Sequence, residues 1–386
     1  MTVSSDFLAA QATGETWQDA VGAILPVLKD AGPEHRLGMV YMTPPYAPHA
    51  AQIEILLRQA TGVRHWIGAV GLGTVGPALT DAGDDGAYGE SYGVPGLSVM
   101  LCPFPEDSFR IFSGVVGDTD RITETHADWM SGGVPPVVLA HGDSGNELLL
   151  SLMEDVVQET DGFLIGGLSA AEGPGSQIAD GPDGKGLSGA LLSMEKIPLQ
   201  TALSQGCSPI GPVRTITAGA DNVLLEIDGE PALDVFKEDI GDVLARDLRR
   251  CAGYIFAALP VEGSDQSDYT VRNLVAIDPE NKALAIGAHI GPGSKILFCR
   301  RDPDTAVMDM KRMLENLKSR IGERPIRGGL YVSCAARGPN QFSDPARETQ
   351  LIEDVLGSFP LTGFFAQGEF CRDRLYAYTG VLTVFL

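Results

Sequence analysis

Three residues near the end of the chain, Cys334, Arg337 and Glu369, have the types and spacing found in reactive or binding sites. Arg337 follows Cys334 by three residues, and a nearby guanidinium favours a thiolate, which would make Cys334 a nucleophile or a soft ligand. Arg337 can instead hold the carboxylate of a ligand in a bidentate pair, while Glu369 holds an ammonium group. The competing interpretation is structural, with a buried thiol and a loop salt bridge.

Three further polar residues could belong to such a site. His141 follows an apolar run, so it could be an axial haem ligand, a metal ligand or a general base, or a hydrogen-bonded loop histidine. Arg272 and Asn273 lie in the segment RNLVAID and could complete a ligand pocket, although polar loop groups equally often satisfy backbone groups. The six histidines show no HxxxH or HxH spacing and the six cysteines form no CxxC pair, so we expect no metal site.

The charge of the chain limits its partners. The formal net charge is −23, and most of it comes from the first 200 residues. Phosphate backbones and anionic membrane surfaces would be repelled, so we expect neither nucleic acid nor membrane as a partner. The change in charge along the chain also suggests a domain boundary near residue 200 to 220.

The location that we expect is the cytoplasm. The first residues have no basic start followed by an apolar segment, and no run of about 18 apolar residues occurs. Scattered cysteines without a pairing pattern are typical of small buried side chains in a reducing compartment.

The elements that must position these residues form a repeated pattern of strand, helix, strand, glycine-rich turn and strand. The third copy occupies residues 330–386, and the first two begin with the apolar segments at 37–42 and 135–145. The repeat places Thr43, His141 and Cys334 at equivalent strand ends. The equivalent glycine-rich turns are Gly71–Gly76, Gly166–Gly173 and Gly363–Glu369, and the last two carry an acidic residue, Glu172 and Glu369.

This pattern predicts an α/β fold with mixed sheets built from strand–helix–strand units and with helices packed outside. The length of 386 residues suits two closely associated domains, which we place at residues 1–220 and 221–386. The acidic segment Asp81–Glu90 has no EF-hand spacing, and we expect a solvated loop there.

Several segments together resemble the FIST domain family. They are GCSPIGPVRTIT at 206–217, DNVLLEIDGEPAL at 221–233, RNLVAID at 272–278, YVSCAARG at 331–338 and PLTGFFAQGEF at 360–370. The segment GLGTVGPAL at 71–79 departs from the GCSTAGE-like turn that the family usually has there. The resemblance implies an N-terminal and a C-terminal FIST domain and a sensory role with small ligands, such as amino acids. Some relatives carry haem, and many are fused to output domains.

The residues and the resemblance together predict a cytoplasmic sensory protein, without catalysis or cofactor, that binds an amino acid or related small carboxylate. Its output would pass through a protein partner in trans, and binding would shift the protein between two conformations. The ligand-binding residues that we predict are Cys334, Arg337, Glu369, Arg272, Asn273 and His141. Two alternatives stay open: an enzyme with Cys334 as nucleophile, and a gas sensor with haem on a histidine.

Overall fold

The computed structural model describes residues 7–79, 88–261, 269–342, 344 and 346–386. These residues form two compact units that do not follow the order of the chain. The larger unit comprises Met1–Ser204, Met310–Leu375 and Thr379–Leu386, and the smaller unit comprises Gln205–Asp309 and Tyr376–Tyr378. The third repeat therefore belongs to the same compact unit as the first two. The sequence boundary at residue 220 stays a prediction.

Strands and short loops dominate both units. The strands are β1 (Leu8–Thr13), β2 (Leu37–Met42), β3 (His65–Val70), β4 (Gly73–Pro77), β5 (Tyr88–Tyr92), β6 (Gly96–Cys102), β7 (Phe109–Val115), β8 (Val137–Gly142), β9 (Phe163–Leu168), β10 (Gln177–Ala179), β11 (Pro182–Asp183), β12 (Leu187–Leu192), β13 (Leu199–Gln205), β14 (Cys207–Pro209), β15 (Arg214–Ala220), β16 (Val223–Ile227), β17 (Glu230–Pro231), β18 (Ile255–Pro260), β19 (Tyr269–Asp278), β20 (Ala283–Ile286), β21 (Lys295–Arg301), β22 (Gly328–Cys334), β23 (Leu361–Ala366), β24 (Glu369–Arg372), β25 (Arg374–Tyr376) and β26 (Thr379–Phe385). The α-helices are α1 (Trp17–Leu28), α2 (Ala50–Thr61), α3 (Asp120–Thr123), α4 (Ala127–Met130), α5 (Leu149–Thr160), α6 (Ala232–Ala245), α7 (Pro303–Ile321) and α8 (Arg347–Leu356), and 3-10 turns occur at Pro44–His49, Leu248–Cys251 and Gly338–Asn340.

The larger unit contains three six-stranded sheets, each built around one pair of parallel strands. The pairs are β2–β3, β8–β9 and β22–β23, and the connecting helices are α2, α5 and α8. A later strand of the same repeat, β6, β12 or β26, pairs antiparallel with the first strand. This arrangement confirms the prediction of mixed α/β sheets formed by strand–helix–strand units.

The three repeats exchange strands with one another. The strand after each glycine-rich turn joins the sheet of another repeat, so β4 pairs with β23, β10 with β3, and β24 with β9. The turns are also bonded in a cycle: Leu72 N donates to Phe365 O (2.9 Å), Ala170 N to Val70 O (2.7 Å) and Gln367 N to Leu168 O (3.2 Å). No repeat completes its sheet alone, which is why the third repeat folds with the distant first two.

The three sheets bury their inner faces in a common apolar core. Its residues alternate along the parallel strands, as the period of two in a strand requires. Members from the three sheets include Met39, Tyr41, Ile67, Leu139, Ile165, Val332 and Phe364. The helices cover the outer faces, where α1 and α2 pack on the first sheet and α5 packs on the second.

The middle of each second parallel strand is a glycine, at Gly68, Gly166 and Gly363. A Cβ built on Gly68 or Gly363 would lie 1.8 Å from the carbonyl oxygen of the neighbouring strand, and one on Gly166 would lie 1.9 Å from it. These three equivalent close contacts align the repeats residue by residue. In this alignment His141 is equivalent to Tyr41 and Val332, and Cys334 is equivalent to Thr43 and Asp143. The predicted equivalence of His141 with Thr43 and Cys334 is therefore wrong, because His141 lies two residues earlier and faces the core.

The smaller unit is a single sheet that closes on itself. Its strand order is β14-β21-β15-β16-β20-β19-β18, and β21 also pairs with β18. Helix α6 contributes Leu233 and Phe236 to the interior, where Phe236 meets Phe298 of β21 edge-on with ring centroids 4.9 Å apart.

Candidate functional site

The outer face of β22 differs from the same face in the other two repeats. In β2 this face presents Val40 and Met42 to the helix layer, and in β8 it presents Val138 and Ala140. The equivalents of Val40 and Met42 in β22 are Tyr331 and Ser333, which are completely buried. The third repeat thus replaces an apolar layer between sheet and helix with a polar one.

Arg337 lies in the turn that follows β22, and its side chain is completely buried. Its Nε donates to Oε1 of Glu348 at 2.7 Å, and its Nη2 donates to the sulfur of Met310 at 3.8 Å. The guanidinium lies 5.2 Å from the ring centroid of Phe342. Nη1 has no hydrogen-bond partner within the part of the chain that the structure describes.

Glu348, in the first turn of α8, is the centre of this polar layer and is completely buried. Besides the bond from Arg337, its carboxylate accepts from Tyr331 OH at 2.6 Å, Ser333 Oγ at 3.0 Å and Gly338 N at 3.0 Å. A buried ion pair is tolerated only when further hydrogen bonds replace the lost water, and Glu348 meets that condition. The sequence did not single out Glu348, because an acidic residue in the first turn of a helix is common at exposed sites too.

Glu369 begins β24, and its side chain and that of Cys334 are both buried. Its Oε2 accepts from Thr379 N at 3.2 Å and from Thr379 Oγ1 at 2.7 Å, and the Cys334 thiol also bonds to the carboxylate. Burial raises the pKa of Glu369 to about 8. Oε1 has no hydrogen-bond partner among the described residues. Since a thiolate beside this carboxylate would meet a like charge when Glu369 is ionised, these contacts do not favour Cys334 as a nucleophile.

The strand pairing corrects one detail of the predicted turns. Glu369 pairs with Gly167 of the neighbouring strand. The residues that occupy the position of Glu369 in the other two repeats are Thr74 and Gln177. Glu172, which the sequence suggested as the counterpart, is exposed in a longer turn that comes before Gln177. The third repeat alone therefore has a carboxylate at this buried position.

A third carboxylate, Glu90 of β5, reaches the same layer from the first repeat. Its Oε1 accepts from Thr349 N at 3.1 Å and from Thr349 Oγ1 at 3.3 Å, at the start of α8. Burial of the carboxylate, and secondly the charge of Glu348, raise the pKa of Glu90. The expectation of a solvated loop at Asp81–Glu90 is wrong for Glu90, while residues 80–87 lie outside the described residues. We call the half-buried Glu90 and the completely buried Arg337, Glu348 and Glu369 the buried charge cluster.

His141 does not join the buried charge cluster. Its Nε2 lies 3.2 Å from Tyr41 OH, and its ring meets the rings of Tyr41 and Phe364 edge-on at 5.5 and 5.9 Å. Complete burial lowers the pKa of His141 to about 3, so the ring stays neutral and is a weak base. A haem on His141 would have to displace these packed aromatic rings.

Arg272 and Asn273 lie in the smaller unit, on β19. Asn273 Oδ1 accepts from Tyr378 OH at 2.8 Å, and Arg272 Nη1 donates to Val271 O at 2.9 Å. Their participation in a ligand pocket stays a prediction. Within the described residues, no group of three or more His, Cys, Asp or Glu side chains is arranged to hold a metal ion, and no helix is long and apolar enough to cross a bilayer.

Comparison with protein families gives two adjoining matches. Residues 36–230 match the FIST N domain, which is half of the chain, and residues 232–372 match the FIST C domain. The chain belongs to the FIST family. FIST domains are associated with sensory and signal-transduction roles.

The curated relatives are mycobacterial proteins of uncharacterized function. An uncharacterized protein of Mycobacterium tuberculosis is 30% identical over 197 residues, which are 48% of this chain and 50% of that protein. An uncharacterized protein of Mycobacterium bovis is 31% identical over 206 residues, which are 51% of this chain and 52% of that protein. The chain thus matches about half the length of these relatives.

The buried charge cluster combines residues from both FIST matches. Arg337, Glu348 and Glu369 lie within the FIST C match, while Glu90 lies within the FIST N match. The cluster therefore needs both parts of the FIST protein to form.

The raised pKa of Glu369 gives a testable pH dependence. Between about pH 4.5 and about pH 8 the folded protein keeps a proton on Glu369 that the unfolded chain has released, so stability falls as pH rises through this window. Glu369→Gln keeps an acceptor for Thr379 but cannot ionise. We expect the variant to lose this part of the decline, which is at most about 1.4 kcal/mol per pH unit. Urea unfolding of both proteins at pH 5 and pH 8 measures the difference, and parallel declines would contradict the assignment.

Proposed function

We propose that this FIST protein is a cytoplasmic sensor that binds an amino acid or a related small carboxylate in the buried charge cluster and signals through a protein partner. The observation that carries the proposal is that two completely buried side chains each have an unused hydrogen-bonding atom, Nη1 of Arg337 and Oε1 of Glu369. Such atoms are costly to leave unpaired, and a ligand that supplies their partners gains affinity from them.

The ligand chemistry follows from the two free atoms. Arg337 Nη1 donates, so it suits a carboxylate oxygen. Glu369 Oε1 accepts once the carboxyl group is ionised, so it then suits an ammonium group. An α-amino acid carries both groups on one carbon. Since Glu369 holds a proton at neutral pH, binding of an ammonium group would release that proton, and affinity should rise as the pH approaches 8.

Entry of a ligand requires the segment between β22 and α8 to move, because the cluster is buried. Two neighbouring bonds hold that segment: Tyr92 OH donates to Ala335 O at 2.6 Å, and Asn340 Nδ2 donates to the same oxygen at 2.9 Å. Opening and closing of this segment would give the two conformations between which a ligand selects, and a partner protein would read the difference. The six cysteines, all free and buried, are compatible with the cytoplasm.

A thermal-shift screen with amino acids, their decarboxylated amines and their deaminated acids tests the proposal. We expect amino acids to raise the melting temperature, since a ligand at about 100 times its Kd stabilises the folded state by about 2.7 kcal/mol. The amine and the acid, each with only one of the two groups, should act more weakly.

Glu369→Gln supplies the matched control for the screen. It keeps the shape and the bond to Thr379 but offers no charge to an ammonium group, so it should abolish the preference for amino acids over deaminated acids. If every hit shifts the variant as much as the wild type, binding does not occur at Glu369 and the proposal is rejected.

A further inference from the structure

The smaller unit contains two buried cysteines whose thiols are in contact. Cys207 lies on β14 and Cys299 on β21, and these strands pair antiparallel. Cys299 is directly opposite Pro209, two residues along β14 from Cys207, so both cysteines present their side chains to the same face of the sheet. The two thiols share a hydrogen bond. The strand pairing thus brings together two soft sulfur donors from distant parts of the chain.

The cysteine pair is enclosed by apolar side chains. Cys207 is 2% exposed, Cys299 is completely buried, and both belong to one apolar cluster. The backbone of Cys207 is held in place, because Tyr269 OH donates to Cys207 O at 2.5 Å. The other buried members of the cluster are Phe256, Ala258, Tyr269, Val271 and Leu297.

Burial disfavours an uncompensated thiolate at this pair. The pKa of Cys299 is raised above its ordinary value, first by the hydrogen bond with Cys207 and secondly by burial. Cys299 is therefore a poor nucleophile, since nucleophilic chemistry needs the thiolate. A soft metal cation that replaces the protons removes this obstacle, because its charge compensates the sulfurs as they ionise.

The number of donors selects the ion. Structural Zn²⁺ sites have four ligands, and catalytic ones take three from the protein. In the ranges that the structure describes, no group of three or more His, Cys, Asp or Glu side chains could hold a metal ion. Copper(I) is a soft ion that prefers sulfur, and two thiolates in a line satisfy it. Two cysteines in an apolar cluster therefore suit Cu⁺ and not Zn²⁺.

A cation, Arg301, lies on the same face of the sheet as the cysteine pair. It is directly opposite Cys207, where Cβ atoms of paired residues are about 5 Å apart. The guanidinium lies 5.7 Å from the ring centroid of Tyr378, which packs on the same apolar cluster with its ring 4.4 Å from that of Phe256. Two thiolates and one Cu⁺ carry one net negative charge, and a guanidinium on this face offsets it.

We propose that Cys207 and Cys299 bind one Cu⁺ ion through both sulfurs. Binding breaks the two S–H bonds, forms two Cu–S bonds and releases two protons to the solvent, and no atom changes its oxidation state. The ion can enter when β14 opens, because β14 is a strand of three residues at the edge of its sheet. The site goes beyond the proposed amino-acid sensor and uses no residue of the buried charge cluster.

Anaerobic titration of the whole reduced protein with Cu⁺, in competition with the coloured chelator bathocuproine disulfonate, tests this inference. We expect one tightly bound Cu⁺ per chain and a copper X-ray absorption spectrum with two sulfur neighbours. Zn²⁺ should bind at least about a thousandfold more weakly. No binding against the chelator, a spectrum with three or more ligands, or equal affinity for Zn²⁺ would overturn the proposal. A disulfide before reduction, with no uptake of Cu⁺ after it, would also overturn it.

Two serine variants and a control locate the ion. Cys207→Ser and Cys299→Ser each leave one thiol, so each should weaken Cu⁺ binding about a hundredfold or more. Cys251→Ser is the matched control and should bind as the wild type does, because Cys251 is a buried thiol of the same unit in a different apolar cluster. Binding that persists in either of the first two variants, or that Cys251→Ser abolishes, would contradict the proposal. If the variants fail to fold, the spectrum of the wild type decides.

Discussion

Replacement of Arg337 by methionine is expected to lower the free energy of unfolding by about 3–5 kcal/mol. Arg337 is completely buried and bonds to Glu348, which is also completely buried. Methionine roughly fills the space of the arginine but leaves the buried carboxylate of Glu348 without a cation. Glu369 also loses the nearby positive charge of Arg337. Urea unfolding followed by far-UV circular dichroism measures the loss.

The double variant Arg337→Met/Glu348→Gln separates the charge from the packing. Glutamine keeps an acceptor for Tyr331 and Ser333 and no longer needs a counter-charge, so the double variant should regain a large part of the lost stability. Arg36→Met is the surface comparison, since its pair with Glu106 is largely exposed and should contribute less than about 1 kcal/mol. An Arg337→Met protein as stable as Arg36→Met would show that the buried pair is not formed in solution.

Gly363→Ala is expected to prevent the larger unit from folding, with a loss of more than about 4 kcal/mol. The added Cβ would lie 1.8 Å from Tyr331 O and 2.8 Å from Tyr331 C, and both atoms belong to the backbone of the parallel partner strand. No side-chain rotation relieves such a contact, so β22 and β23 must separate. The buried charge cluster is built on these two strands and should be lost with them.

Soluble yield and thermal melting measure the effect of Gly363→Ala. Gly22→Ala provides the control, because Gly22 lies inside α1 and a Cβ there meets nothing within 4 Å. Alanine at a helical position should stabilise the protein by about 0.5–1 kcal/mol. A Gly363→Ala protein that melts within a few degrees of the wild type would mean that the strands are farther apart than described.

The buried charge cluster shows how one repeat can acquire a new chemistry without a new fold. The three repeats share strand pairing, connecting helices and the close glycine contacts. The third repeat has Tyr331 and Ser333, both bonded to Glu348, at the strand positions where the first repeat has the apolar Val40 and Met42. The fold supports this layer, and the residues within it give the site its chemistry.

The sequence by itself determined the repeated strand–helix–strand units, the α/β class and the membership of the FIST family. These follow from local patterns: apolar periodicity, glycine at turns and short motifs. The sequence also brought Cys334 and Arg337 together, since three residues in a turn cannot separate far. It could not reveal that Arg337 pairs with Glu348, because that contact depends on α8 folding back over β22.

Only the tertiary structure decided which polar residues share a site. Glu90 precedes Thr349 by more than half of the chain and reaches it because β4 and β5 extend the sheet of the third repeat. The sequence pattern aligned His141 with the strand end, but the strand pairing puts it two residues earlier, where its side chain faces the core. This alignment depends on pairing between strands, which the local sequence does not report. The pKa of Glu369 depends on burial by segments that are distant in the chain, so no local pattern could report it.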